Sequence, residues 1–225
     1  MLLKRHIKTE SIYKEYMINM VKFKNTVTTR LAELINWALN PYKNGLASPV
    51  KKNEEYTVGM LRKIAKKTEH EWGNKMINQN NNGNWTTSLG ENLVRDVLRL
   101  LGKNPKKTTG RNGYKPDWEC DDAIYEVKTR NWTTTGTAGE KVLGTMYKYS
   151  DIPQLYGKPL KIVCVGYQEW ELTYGPTKIF GEISPTKQAF LDLAKKFEIE
   201  YIKFSDLVQK IPLTEQYTYG IVDMP

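Results

Sequence analysis

Residues 115–130 read KPDWECDDAIYEVKTR. Apolar and polar side chains alternate there on either side of Asp121-Asp122, the pattern of two short strands joined by a two-residue turn. Pairing outward from that turn sets Cys120 opposite Ala123, Glu119 opposite Ile124, Trp118 opposite Tyr125 and Asp117 opposite Glu126. Trp118, Cys120, Ala123, Tyr125 and Val127 then share one face, which suits a core. The other face carries Asp117, Glu126 and Lys128. Directly opposed residues have Cβ atoms about 4.5–5.5 Å apart, so two carboxylates confront each other beside an amine.

Two opposed carboxylates destabilise a sheet unless positive charge sits between them. Oxygen ligands at a strand edge suit a hard divalent cation, and Mg²⁺ is the expected cofactor. A cation held by few protein ligands keeps waters that it can activate, and it neutralises a phosphate oxygen. Lys128, two residues from Glu126, is placed to position a water or to stabilise charge on a phosphorane. These residue types at this spacing meet the needs of metal-assisted phosphodiester hydrolysis. The competing reading is a solvated strand face, since Glu-x-Lys alone is common.

The flanking sequence predicts an α/β fold with a mixed central sheet flanked by helices. SLGENLVRDVLRLLG, from Ser88, is an amphipathic helix that buries Leu93, Val94, Val97, Leu98 and Leu101 and stops at Gly102. KNPKKTTGRNGYK reads as a basic loop. A Gly-rich turn and a helix follow the hairpin. Residues 160–168 read as a buried strand, 185–197 as a helix and IEYIKF as a last strand, with Ser205 capping a final helix. Upstream, residues 9–40 and 54–70 read as helices, the second with Leu61, Ile64 and Ala65 turned inward. The Asn- and Gly-rich stretch 73–85 reads as a loop. This divides the chain into a basic helical region, 1–80, suited to clamping or dimerisation, and a core, 81–225.

The formal net charge is +9, and residues 1–70 carry 14 Lys and Arg against 6 Asp and Glu. That excess favours an anionic partner, above all nucleic acid. No apolar run is long enough for a membrane span, and MLLKRHIKTE has no apolar signal region. Cys120 and Cys164 are too few for a disulfide framework, so a cytoplasmic, reducing setting is expected. Two histidines cannot supply a zinc site or a His-based nuclease centre. No phosphate-binding Gly-x-x-x-x-Gly-Lys-Ser/Thr loop occurs, so no nucleotide cofactor is expected.

Pro116-Asp117 followed by Glu126-Val127-Lys128 resembles the signature of the PD-(D/E)xK nuclease superfamily. The resemblance covers about residues 88–170. It implies a restriction endonuclease-like core and a metal held by Asp117, Glu126 and the Val127 carbonyl, with Lys128 as the catalytic amine. It also implies a further acid on the preceding helix, which Glu91 matches. Glu91 equally completes a capping box with Ser88, and Asp96 is the other acid on that helix. The expected activity is that of a type II restriction enzyme, a sequence-specific endonuclease on double-stranded DNA acting as a homodimer. A Holliday-junction resolvase, or a binding module without activity, are the alternatives.

Base or phosphate contacts are expected from the polar segment after the hairpin: Arg130, Asn131, Trp132, Thr133, Thr134 and Thr135. Lys141 follows in the next helix. Arg111 and Lys107 belong to the basic cluster before the hairpin, and Asn84 to the Asn-rich stretch before Glu91. Trp132 either stacks against bases or anchors the loop.

Overall fold

The computed structural model describes residues 29–39, 58–78, 85–133 and 138–212. Five strands form one mixed, open sheet: β1 (Lys106–Lys107), β2 (Trp118–Glu119), β3 (Ile124–Arg130), β4 (Leu160–Gly166) and β5 (Ile199–Lys203), adjacent in that order. The pairs β1–β2 and β2–β3 are antiparallel, and β3–β4 and β4–β5 are parallel. The hairpin has the expected register, Trp118 opposite Tyr125 and Glu119 opposite Ile124. The Cys120 amide donates to the Ala123 carbonyl at 2.9 Å, closing the turn. β1 was expected to be loop; its two lysines pair with the edge of β2.

Helices cover both faces. On one lie α1 (Thr29–Leu39), α2 (Val58–Met76), α3 (Trp85–Leu100) and α9 (Phe204–Gln209). They pack on Trp118, Tyr125, Val127, Val163 and Val165. On the other lie α4 (Ala138–Leu143), α5 (Thr145–Lys148), α6 (Ile152–Tyr156), α7 (Tyr167–Tyr174) and α8 (Pro185–Lys196). Ile124, Ile162, Cys164 and Tyr201 line this second core. Period-two alternation along β3 and β4 sends successive side chains to opposite cores. Cys120 and Cys164 are free, buried and in different cores. Among the described residues no helix is long and apolar enough to cross a membrane.

Leu93, Val94, Val97 and Leu98 of α3 are fully buried, each worth about 1.5–3 kcal/mol on the hydrophobic scale. Beyond α3, Gly102 adopts a left-handed φ of 74°. Its amide bonds to Arg99 and that of Lys103 to Leu98, the paired bonds of a Schellman stop.

Two upstream expectations change. The helix expected over 54–70 is seen from Val58 and runs on to Met76, so Gly73 lies inside it rather than in a loop. The Trp85 ring explains this: a Cβ on Gly73 would lie 2.1 Å from it, so only glycine admits the ring against the helix. Among the described side chains of α2 the buried positions are Glu69, Gly73, Asn74 and Met76, while Ile64 is 51% exposed. Trp37, Trp72 and Trp85 pack on one another, so α1, α2 and α3 share one core with the sheet. The part of the expected helix 9–40 before Thr29 lies outside the described residues. The single helix expected between β3 and β4 is three short ones, and α7 was not foreseen. The Ser205 hydroxyl bonds to buried Glu169, and the position before α9 is Lys203, so Ser205 is not a cap.

Candidate active site

The ladder between β2 and β3 stops at Trp118 and Tyr125. Asp117 lies one residue beyond it, and its Oδ2 accepts the Val127 amide at 2.7 Å. A side chain thus takes over where the backbone ladder ends. In a strand the N–H and C=O of one residue face the same neighbour, so the Val127 carbonyl points toward this edge too. Glu126, on the adjoining turn of the pleat, is 4% exposed. Its Oε1 accepts from Lys128 Nζ at 2.6 Å, and its buried Oε2 has no hydrogen-bond partner among the described residues.

The two carboxyls lie close enough to interact electrostatically. Asp117 is pushed up to about 7, first by burial and then by the charge of Glu126; the Val127 amide pulls the other way. Glu91 adds to the rise and Lys107 opposes it. Tyr149 is raised by burial, then by the charge of Glu126 and by a hydrogen bond to it. The Lys128 ammonium lies 6.0 Å from the Tyr149 ring centroid.

Glu91 comes from α3. Because α3 begins at Trp85, Ser88 is internal and Glu91 completes no capping box. Its Oε2 instead accepts from Lys107 Nζ at 2.7 Å, and its main-chain oxygen accepts the Trp118 indole N–H. Lys107 lies 4.2 Å over the Trp118 ring. Asp96 pairs with Arg95 and Arg99 along the helix surface.

Among the described residues no three or more His, Cys, Asp or Glu side chains are grouped to hold a metal ion. The edge offers two carboxylates and one carbonyl, with Glu91 tied to Lys107. Such a sparse set fits Mg²⁺, which retains most of its waters. The buried Glu126 Oε2 and the raised Asp117 are both relieved by a nearby cation.

The expected nucleic-acid contacts separate into two groups. Arg130 is 5% exposed, pairs with Glu171 at 2.5 Å and stacks on Tyr167. Trp132 is an anchor rather than a wedge. Its indole N–H donates to the Trp37 carbonyl at 2.9 Å and its ring meets Tyr167 edge-on. Thr133 donates its amide and hydroxyl to Glu69, and Asn131 contacts the Thr133 hydroxyl. Glu69 also accepts the Trp132 amide and the Trp37 indole N–H. It holds the segment after β3, and sequence reasoning missed it because it sits in a run of charged helix residues. The exposed group is Lys107, Lys141 and Arg111. Arg111 bonds to the Leu155 carbonyl and lies over Tyr156. Asn84, Thr134 and Thr135 lie outside the described residues.

No protein-family model, curated protein or solved structure matches the chain.

Proposed function

We propose that the chain is a metal-dependent endonuclease on double-stranded DNA, a type II restriction enzyme with a restriction endonuclease-like core. The observation that carries this reading is the buried Glu126 carboxylate beside Asp117, Lys128 and Tyr149, whose Oε2 has no hydrogen-bond partner among the described residues. Burying a polar atom without a partner costs about 1–3 kcal/mol, and more for a charged group, so a cation is the expected complement.

Asp117, Glu126 and the Val127 carbonyl would hold Mg²⁺. When bound, the ion supplies charge neutralisation at a phosphate oxygen and an acidified water. Lys128 anchors Glu126 through its ion pair and offers its remaining N–H groups to the attacking water or a phosphate oxygen. Glu91 and Lys107 form a neighbouring pair whose charges tune Asp117 in opposite directions. Cleaving both strands calls for two such sites, hence a homodimer on a palindrome.

The test is digestion of a plasmid of known sequence with Mg²⁺. Discrete fragments support the restriction-type reading. Nicking confined to extruded cruciforms points to a junction resolvase, and no cleavage refutes the nuclease. Asp117→Ala and Lys128→Ala should each abolish cleavage while DNA binding in Ca²⁺ survives; full cleavage by either refutes the assigned site.

A further inference from the structure

A cleft of about 500 Å³ opens beside the acidic pair, between the end of β3, the α4–α5 segment and the first turn of α7. That volume lies in the range of about 300–1,000 Å³ usual for ligand sites. Val127 and Lys128 line it, so it is continuous with the candidate active site. Its other charged walls are Lys141, Lys148 and the Glu171-paired Arg130, and no carboxylate among the described residues lines it. Lys128 and Arg130 are paired with Glu126 and Glu171, so Lys141 and Lys148 supply the positive excess that favours negative charge in this cleft.

Two further features give the negative charge a definite place. Gln168, in the first turn of α7, lines the cleft and is 2% exposed. Its Nε2 is buried and has no hydrogen-bond partner among the described residues. A buried amide donor of this kind costs about 1–3 kcal/mol unless an acceptor reaches it. The second feature is the open edge of β3. The β2 ladder ends at Tyr125, and strand alternation turns the Thr129 main-chain N–H to the same side as that of Val127, where no strand among the described residues pairs with it. Thr129 also lines the cleft. Lysine ammoniums, a strand-edge amide and an unsatisfied carboxamide together match the oxygens of a phosphate.

We infer that this cleft is a second phosphate site, seating the backbone phosphate next along the nucleic-acid strand from the one at Asp117 and Glu126. The inference rests on the nuclease reading for the identity of the strand, but the site itself is defined by Lys141, Lys148, Gln168 and Thr129. It gives the enzyme a grip on the strand that is independent of the metal and sets how far the chain advances past the acidic pair.

The probe is a 5′-phosphorylated thymidine dinucleotide, titrated calorimetrically into the full chain in EDTA, with amide NMR following Thr129 and the Gln168 carboxamide. Wild type should bind it with both signals shifting. Lys148→Ala and Gln168→Met should each weaken binding about tenfold, the loss of one charge-assisted bond. Failure of wild type to bind, or equal binding by both variants, overturns the site. Binding of inorganic phosphate as tight as that of the dinucleotide overturns its assignment to a strand. The plasmid digestion separates the two readings. Weakened variants with no wild-type cleavage leave the phosphate site and remove the nuclease. Cleavage with unaffected variants does the reverse.

Discussion

Replacing Asp117 with Asn should make the cation-free protein more stable, and increasingly so as pH rises. In the folded chain burial and then Glu126 push this carboxyl up from 3.8 to about 7. In the unfolded chain it titrates near its ordinary value of about 3.9. Below that value both states hold the proton and the group contributes nothing. Between the two values the unfolded chain has released its proton and the folded chain retains it, so stability falls as pH climbs. Above about 7 the loss is complete. Some three pH units at about 1.36 kcal/mol each set a ceiling of about 4 kcal/mol. Water reaching a partly buried carboxyl reduces that to about 2 kcal/mol. Asparagine keeps an oxygen for the Val127 amide and cannot ionise. For a chain of this size the gain is about 4–8 °C in midpoint. Thermal unfolding in EDTA at about pH 4, 6 and 8 reads it directly. The variant should match wild type at the lowest pH and lead by the full amount at the highest. Equal stability at the highest pH, or a gap that does not change with pH, refutes the reasoning.

Other substitutions probe the surroundings. Arg130→Gln should lower stability by about 3–5 kcal/mol, because it strands the Glu171 carboxylate that Arg130 pairs with in the interior; urea unfolding checks it, and an unchanged midpoint would refute the buried pair. Glu69→Ala removes the acceptor for four donors, those of Trp37, Trp132 and the amide and hydroxyl of Thr133, and should cost about 3 kcal/mol or more by the same measurement. Gly90→Ala places a Cβ 1.7 Å from the Thr129 hydroxyl oxygen, so α3 must shift away from β3; a midpoint drop worth about 1–3 kcal/mol is expected, and full stability would mean the helix sits farther off.

The hairpin was legible because its signal is local. Alternation from Trp118 to Val127 and a two-residue turn specify register without reference to the rest of the chain. The stripe of α3 and its stop at Gly102 are local in the same way. What escaped depends on partners distant in sequence. Gly73 looks like a loop residue until the Trp85 ring is seen lying on it. Arg130 carries no local sign of its ion pair with Glu171, 41 residues on. Glu69 is one more acid on a charged helix, and only the fold brings residues 132–133 to it. The pairing of Glu91 with Lys107 was hidden for the same reason: β1, two exposed lysines, carries no periodic pattern. At the acidic edge itself the residues were readable, but the departure from a simple facing pair was not. Asp117 closes onto the Val127 amide instead of continuing the ladder.

Cation binding by the acidic edge is most directly measured by Mn²⁺ titration followed by electron paramagnetic resonance, on wild type and on Glu126→Gln. Wild type should bind Mn²⁺ in competition with Mg²⁺, and Glu126→Gln should lose that binding while remaining folded. Equal Mn²⁺ uptake by the two proteins, or none by wild type at millimolar metal, would contradict the account.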